Sequence, residues 1–169
     1  MNTIETQRMY LRLLTHNDAQ MILALLNEPA FLTNIGDKGV RNLSNAINYI
    51  DSGPLAMQST LGYSLYCCVR KDNDQAIGLS GLIKRDGIMH PELGFAFLTQ
   101  YCKQGFGYES SVAVLKHAHE QLGITHLQAI CHPNNKASIG LLTKLGFSYQ
   151  QNISLPTQQE SVKLFDLAF

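Results

Sequence analysis

The first half of the chain places its apolar residues at helical spacing in two stretches. After a short alternating segment, "MYLRLL", a helix is predicted over residues 15–31, with Thr15 or Asn17 as its N-cap. The residues predicted to face the core are Met21, Ile22, Leu25 and Leu26. A second helix is predicted over residues 43–53, with Gly53 ending it.

The hydrophobic period changes in the middle of the chain. Residues 61–70, 75–85 and 92–98 are short segments rich in β-branched and aromatic residues, and polar turns separate them. The pair Asp86–Gly87, between the second and third segments, is a hairpin signal. The pattern therefore predicts three antiparallel strands in a meander.

The last third of the chain alternates helices with strands. The predicted helices cover residues 107–123 and 135–146, and the predicted strands cover residues 125–132 and 161–169. Gly123 and Gly146 are expected to end the two helices. The inward positions of the first helix are Val112, Leu115, Ala118 and Leu122. This order of elements predicts an α+β fold with a mixed sheet.

Composition narrows the class of protein without identifying it. The 169 residues are 45% apolar and 15% charged, which is typical of one globular domain, predicted to span residues 1–169. Thirteen basic residues balance thirteen acidic ones, so nothing favours a broad nucleic-acid-binding face. No apolar run suits a transmembrane helix, and the N-terminus lacks the apolar stretch of a signal peptide. The four cysteines form no C-x-x-C pair and no metal site is visible, so the expected location is the cytoplasm.

The stretch "YCKQGFGYES", residues 101–110, points most directly to chemistry. Gly105 and Gly107 stand between a predicted strand and a predicted helix, where free backbone N–H groups and the helix dipole favour a phosphate. Glycine also lets the backbone approach a ligand closely, although the pair could equally form only a turn. The chain contains no P-loop string, and Ser110 stands where a dinucleotide-binding fingerprint has its third glycine.

Three segments, in the same order along the chain, resemble one family. The turn at residues 102–107 is similar to the [Q/R]-x-x-G-x-[G/A] pattern of the GCN5-related N-acetyltransferase (GNAT) superfamily, although Cys102 and Lys103 depart from the usual residues. Residues 4–31 resemble the opening "LxTERLxLRPL" of the branch that contains the ribosomal-protein N-terminal acetyltransferases. "NNKASIGLLTKLGF" resembles the "NxxSxxxxxKxGF" stretch of that branch. By this combined resemblance the chain is identified as a member of the superfamily.

The resemblance implies a GNAT fold, in which two neighbouring strands of a mixed central sheet splay apart and helices flank the sheet. The pantetheine arm of acetyl-CoA would lie between the two strands, and the N–H groups of residues 103–108 would bind its pyrophosphate. Asn135 would contact the arm, although a helix N-cap is the other interpretation of this residue. The residues implied to bind the coenzyme are Phe97, Leu98, Lys103, Gln104, Gly105, Phe106, Gly107, Tyr108, Asn135 and Ser138.

Attack of an amine on a thioester is helped by a base, by donors to the carbonyl oxygen and by a partner for the leaving thiolate. The resemblance makes Glu92 the first candidate for the base, with His90 or water as the alternatives. A backbone N–H of the splayed strand would face the carbonyl oxygen. Ser138 would hydrogen-bond the leaving sulfur, although it is equally an ordinary small residue at a helix start. Leu142 stands where many family members have a tyrosine acid, so that version of the mechanism is not expected here.

The activity implied is acetylation of a primary amine, either a protein N-terminal α-amine or a small-molecule amine, with acetyl-CoA as co-substrate and no metal. An inactive acyl-CoA-binding sensor is the alternative, and a nucleotide-binding protein is a third hypothesis. In this family the first two helices and the facing loops select the acceptor, here around residues 31–42 and 154–161, which are neither strongly acidic nor strongly basic. No nucleic-acid or membrane partner is expected, and a homodimer is possible because dimers occur in this branch.

Overall fold

The computed structural model describes residues 3–169, so Met1 and Asn2 of the predicted domain lie outside the described residues. The strands are β1 (Ile4–Glu5), β2 (Met9–Arg12), β3 (Leu65–Arg70), β4 (Ala76–Ile83), β5 (Glu92–Phe97), β6 (His126–Cys131), β7 (Ser148–Ile153) and β8 (Val162–Ala168). The helices are α1 (Ala19–Leu26), α2 (Pro29–Asn34), α3 (Leu43–Ile50), α4 (Ala56–Leu61), α5 (Phe106–Glu120) and α6 (Lys136–Lys144). Within residues 3–169, no helix combines the length and the apolar character needed to cross a membrane.

One mixed sheet contains these eight strands in the order β1-β2-β3-β4-β5-β6-β8-β7. Strands β3, β4 and β5 pair antiparallel with their neighbours in sequence, which confirms the predicted meander. Strands β5 and β6 run parallel, and the register between them contains the single pair Glu92 and Gln128. Beyond that pair the two strands diverge, so the sheet is split at its centre, as the resemblance implied.

Two apolar cores cover the two faces of the sheet. Residues of α1 and α3, such as Ile22, Leu25 and Ile50, form one core, and residues of α5 and α6, such as Val114 and Leu142, contribute to the other. Cys67 and Cys68 are neighbours on β3 and belong to different cores, because adjacent residues of a strand point to opposite faces of the sheet. The cores therefore hold α5 and α6 on one face of the split sheet and α1 to α4 on the other.

The helices of the first half differ from the prediction in two places. The first predicted helix is broken into α1 and α2, because Glu28 precedes Pro29 and takes an extended conformation with ψ of 141°. Gly53 does not end the second helix, so that prediction was wrong. The chain continues through a π-helical turn at Asp51–Leu55 into α4, which ends at Gly62 in the left-handed region with φ of 76°.

Two further predictions for the second half were wrong or incomplete. Val112 is 43% exposed, whereas Ser111, Val114, Leu115 and Ala118 form the buried face of α5. The small polar residue Ser111 belongs to that face, and a hydrophobic pattern does not detect it. Strand β7 was not predicted, because its sequence "SYQQNI" is mostly polar and exposed and forms a strand only by pairing with β8.

Candidate active site

A cavity of about 660 Å³ runs along the split between β5 and β6. One end, called the cofactor end here, is lined by the turn at residues 102–108 and by the start of α6. The other, called the acceptor end, is lined by Lys38, Arg85 and Glu92. Strand β5 connects the two ends, and a strand of six residues is about 17 Å long. The cavity therefore extends along the whole of β5, from Glu92 to Phe97.

The backbone of β5 presents hydrogen-bonding groups to the split. The carbonyl of Pro91 accepts an N–H from β6 at 2.9 Å, whereas the N–H of Leu98 donates to Ile77 O on the β4 side at 3.0 Å. Successive residues of a strand point their backbone groups to opposite edges, so those of Phe95 and Phe97 face the split. Leu98 was expected to bind the coenzyme arm, but its N–H is bonded to β4 and its carbonyl accepts an N–H from the following turn.

The turn before α5 presents a row of unpaired N–H groups at the cofactor end. Lys103 and Gly105 have positive φ angles of 60° and 85°, which fold the chain tightly ahead of the helix. Among residues 3–169, no acceptor is bonded to the six N–H groups of residues 103–108, and the first helical bond runs from Glu109 N to Gly105 O. The helix dipole adds positive potential at the same place. These donors fit the two negatively charged groups of a pyrophosphate.

Gly107 keeps this part of the cavity open. A Cβ atom at this position would lie 3.4 Å from Leu141 Cδ2 and 3.8 Å from Phe97 Cε2. A methyl group would fill the space between the first turn of α5 and the side chains of α6 and β5, and a longer side chain would enter the cavity. Next to it, the ring of Tyr108 lies 4.1 Å from the ammonium group of Lys144.

Arg8 supports the turn from the side opposite to the cavity. Its Nη1 donates to Gln104 O at 2.9 Å, and its Nε donates to Glu109 Oε2 at 2.7 Å. Thr6 Oγ1 donates to the other oxygen of Glu109 at 2.7 Å, and the guanidinium of Arg8 lies 4.2 Å from the centroid of the Phe106 ring. Although burial acts to raise it, hydrogen bonds from Thr6 and Arg8 lower the pKa of Glu109. Arg8 lies in the opening segment of the resemblance, but its role becomes visible only when α5 packs beside β1.

Two residues of the turn offer the cavity only their backbone. The side-chain amide of Gln104 donates to Gln100 O at 2.8 Å. Phe106 is 5% exposed, and its ring packs edge-on against Tyr101. The expectation that residues 103–108 bind through their N–H groups therefore requires no side chain of Gln104 or Phe106 in the site.

Asn135 and Ser138 meet at the start of α6, on the wall of the cavity. Asn135 Oδ1 accepts the N–H of Ser138 at 3.2 Å, so Asn135 is the N-cap residue of this helix. Asn135 Nδ2 also donates to Ser138 Oγ at 2.9 Å, which leaves the hydroxyl proton of Ser138 able to donate elsewhere. Leu142, one turn further on, is 1% exposed and has no proton to donate.

Glu92 is buried at the start of β5 and forms a salt bridge with Arg85. The side chain of Glu92 is 4% exposed, and Arg85 Nε and Nη2 donate to its two oxygens at 2.6 and 3.2 Å. Burial raises the pKa of Glu92 above its ordinary value, although Arg85 and Lys38 act to lower it. A carboxylate with a raised pKa accepts a proton more readily than an exposed one, which suits general-base chemistry near neutral pH.

His90, the alternative base, does not line the cavity. Its ring stacks on His126 with 5.2 Å between centroids, and its backbone N–H donates to Gln128 Oε1 at 3.1 Å. The structure thus brings Glu92 to the acceptor end and leaves His90 outside it. The sequence pattern assigned no role to Lys38, Tyr49 or Arg85 individually. They line the same end because the fold brings them there from distant segments: the α2–α3 loop, α3 and the β4–β5 connection.

Comparisons with known proteins agree with this geometry. The chain matches the sequence model of the acetyltransferase (GNAT) domain over residues 8–148. The uncharacterized N-acetyltransferase YoaA of Bacillus subtilis is 26% identical over 145 residues, which cover 85% of this chain and 81% of that protein. An acetyltransferase from Agrobacterium tumefaciens superposes with a TM-score of 0.83 at 20% identity, covering 100% of this chain and 95% of that chain. The ribosomal-protein acetyltransferase RimL, in complex with coenzyme A, superposes with a TM-score of 0.84 at 15% identity, covering 99% and 98%.

Proposed function

Because the chain belongs to the acetyltransferase (GNAT) domain family, we propose that it transfers an acetyl group from acetyl-CoA to a primary amine, of either a protein N-terminus or a small molecule. The observation that carries this proposal is one cavity with two chemically different ends. Free backbone N–H groups lie at the cofactor end, and a buried carboxylate lies at the acceptor end. This arrangement suits a reaction between an anionic coenzyme and an amine.

The reaction requires the protein to bind a coenzyme, accept one proton and provide another. Acetyl-CoA supplies a thioester, whose carbonyl carbon becomes bonded to the amine nitrogen while the carbon–sulfur bond breaks and CoA leaves as a thiol. The acceptor is an ammonium ion in neutral water, so it has to lose one proton before its nitrogen is nucleophilic. A second proton leaves the nitrogen as the amide forms, and the leaving sulfur gains a proton.

Backbone groups hold the coenzyme in this proposal. The N–H groups of residues 103–108 bind the pyrophosphate, and the backbone groups of Phe95 and Phe97 that face the split bind the arm. A backbone N–H on the same edge of β5 donates a hydrogen bond to the carbonyl oxygen of the thioester. These donors are fixed by the sheet and by α5 before any ligand binds, so they do not have to reorganise during the reaction.

Glu92 accepts the first proton in this proposal, and Ser138 donates to the leaving sulfur. Glu92 is supported by its burial, its position at the acceptor end and its raised pKa. Ser138 is supported by the bond from Asn135 Nδ2, which leaves the hydroxyl proton free. A thiolate is a good leaving group, so the weak donor Ser138 suffices where Leu142 replaces a tyrosine.

The test is a thiol-release assay with acetyl-CoA and a panel of amines and N-terminal peptides. We expect acetyl-CoA to raise the melting temperature, since a ligand that binds only the folded state stabilises it, and at least one acceptor to release free CoA above background. If acetyl-CoA stabilises the protein but no acceptor releases thiol, the inactive sensor replaces the enzyme. Stabilisation by ATP or NAD, and not by acetyl-CoA, contradicts both.

A further inference from the structure

Three residues at the acceptor end carry hydrogen-bond donors without a protein partner. Lys38, Tyr49 and Arg85 all line the cavity. Within the described part of the chain, residues 3–169, the Lys38 ammonium, the Tyr49 hydroxyl and Nη1 of Arg85 take part in no hydrogen bond or ion pair. Unpaired donors that line a cavity favour an anionic or hydrogen-bond-accepting group of a ligand.

Glu92 orients Arg85 so that one edge of the guanidinium stays available. Nε and Nη2 of Arg85 bond to the carboxylate of Glu92, which is 4% exposed, whereas the side chain of Arg85 is 22% exposed. A planar guanidinium held along one edge presents its remaining N–H groups in a fixed direction. Such a pre-oriented fork is well suited to bind a second carboxylate.

Lys38 reaches the same cavity from the loop between α2 and α3. Its neighbour Asp37 is paired with Arg41, and Arg41 also donates to Asn27 Oδ1 at 3.1 Å, so the loop is held in place beside Lys38. The residue as a whole is exposed, but its side chain extends to the cavity. There, burial and then repulsion from Arg85 lower the pKa of Lys38, although attraction to Glu92 acts to raise it. A ligand carboxylate would relieve that repulsion.

The carboxylates that line the cavity are already bonded. They belong to Glu28 and Glu92. Glu28 Oε2 accepts both the N–H and the hydroxyl of Thr99, at 2.9 and 2.7 Å, and Glu92 is bonded to Arg85. Glu28 Oε1 stays open, but this residue lies beside Thr99 and Cys102, toward the cofactor end. Among the described residues, the acceptor end therefore has no carboxylate besides Glu92 for the second ammonium of a diamine or polyamine. The charges favour an acceptor that carries an anion rather than a second cation.

The rest of the acceptor end is apolar. Gly94 on β5 contributes no side chain to its floor, and a Cβ there would lie 3.2 Å from Ile83 Cδ1. The apolar residues around this floor include Leu25, Phe31, Ile35, Leu65 and Ala96. Burial of an aliphatic or aromatic side chain against these residues would contribute to binding.

Building on the acetyl transfer proposed above, we propose that the acceptor is a free amino acid with an apolar side chain, which the site recognises by its carboxylate. Arg85 and Lys38 bind the carboxylate, and the ammonium, one carbon away, then lies beside Glu92, which takes its proton. The nitrogen forms the bond to the acetyl carbon as the carbon–sulfur bond breaks, and an N-acetyl amino acid and CoA thiol result. A peptide N-terminus has no carboxylate at this distance, so it leaves Lys38 and Nη1 of Arg85 without a partner.

The test compares leucine with compounds that keep its amine and side chain but lack its carboxylate. These compounds are leucinamide, 3-methylbutylamine and the tripeptide leucyl-glycyl-glycine, and phenylalanine with its amide forms a second pair. Thiol release from acetyl-CoA gives kcat/KM for each. We expect the free amino acid to exceed its amide by about tenfold or more in at least one pair, as hydrogen bonds between charged groups imply. Equal or better use of the amides or the tripeptide overturns this inference and leaves acetyl transfer intact.

Two variants test whether Lys38 and Arg85 cause the preference for the free amino acid over its amide. Lys38→Met and Arg85→Lys should each lower the ratio of kcat/KM between amino acid and amide toward one. The matched control is Lys84→Met, because Lys84 lines the same cavity but its ammonium lies 3.4 Å from Met89 O. The control should keep the wild-type ratio. Because both substrates are measured on the same protein sample, partial loss of folded protein cancels from the ratio.

A binding measurement separates this inference from the proposed function. If neither these compounds nor the amine and peptide panel releases thiol, acetyl transfer fails, and calorimetry with CoA present then decides by itself which class of ligand the acceptor end binds. Leucine or phenylalanine binding about tenfold or more tightly than its amide supports the inference. Equal binding of each pair, or no binding, overturns it.

Discussion

The two ends of the cavity present different parts of the chain to their ligands. At the cofactor end, the available groups are consecutive backbone N–H groups of residues 103–108, which Arg8 supports from behind. At the acceptor end, they are side chains from three segments: Lys38 in the α2–α3 loop, Arg85 in the β4–β5 connection and Glu92 on β5. One end depends on backbone conformation, and the other depends on which side chains meet.

This difference explains which substitutions each end tolerates. A backbone cradle depends on φ angles and on missing side chains, so Cys102 and Lys103 can replace the usual residues of the family while Gly107 has little freedom. The function of side chains depends on their charge and chemical identity, so replacing Glu92 with a neutral residue should lower turnover strongly. Coenzyme affinity and turnover should therefore respond to different mutations.

The largest expected effect is that of Glu92→Gln on turnover. Loss of the proton acceptor should lower kcat/KM for the amine by about 10²-fold or more, with the dissociation constant of CoA nearly unchanged. In the wild type the rate should rise with pH through a pKa above that of an ordinary glutamate, because burial raises the pKa of Glu92 and the base must be deprotonated. The variant should lose this acidic limb. Glu120→Gln, at an exposed site, is the control, and an unchanged pH–rate profile in Glu92→Gln removes Glu92 from the mechanism.

Gly107→Leu should act on the other end. The new side chain would enter the space between Leu141 and Phe97, so the dissociation constant of CoA should rise roughly 10- to 100-fold, by calorimetry. The melting temperature should fall only slightly, because the substitution acts mainly on ligand binding. The matched control is Gly140→Leu, because a Cβ at Gly140 meets nothing within 4 Å. A variant that loses stability but binds CoA normally would show that Gly107 serves only the turn.

Arg8→Ala should weaken the cradle without touching the ligand. It removes the hydrogen bond to Gln104 O and the ion pair with Glu109, so we expect the dissociation constant of CoA to rise about tenfold. The KM of the amine should stay near its wild-type value. Lys116→Ala removes an exposed pair with Glu120 at the far end of α5 and is the control. An equal change in both variants would assign the effect to general destabilisation.

The smallest effect should be that of Ser138→Ala. Removal of one hydroxyl donor to the leaving sulfur should lower kcat about fivefold, as one ordinary hydrogen bond implies, while CoA affinity changes little. Thr143→Ala is the control on the same helix, since that hydroxyl donates to Ile139 O. A kcat equal to that of the wild type would show that Ser138 has only a structural role in α6.

The predictions from the sequence succeeded where local pattern decides structure. Strong periodicity located the main helices and the meander, and the resemblance implied the split between β5 and β6. One failure was local, because Pro29 broke a helix that periodicity had made continuous. The others depend on tertiary contacts. Ser111 took a buried position that hydrophobicity had given to Val112, and the polar β7 became a strand by pairing with β8.

By itself, the sequence indicated the cofactor end, because glycine before a helix favours a tight turn and the first turn of a helix leaves backbone N–H groups free. Only the tertiary structure decided the acceptor end. In the α2–α3 loop, Asp37 pairs with Arg41 and leaves Lys38 without a carboxylate, and Glu92 meets Arg85 because the β4–β5 connection folds back. Backbone conformation depends mainly on sequence neighbours, whereas the charges that stay unpaired depend on contacts between segments that only the folded chain brings together.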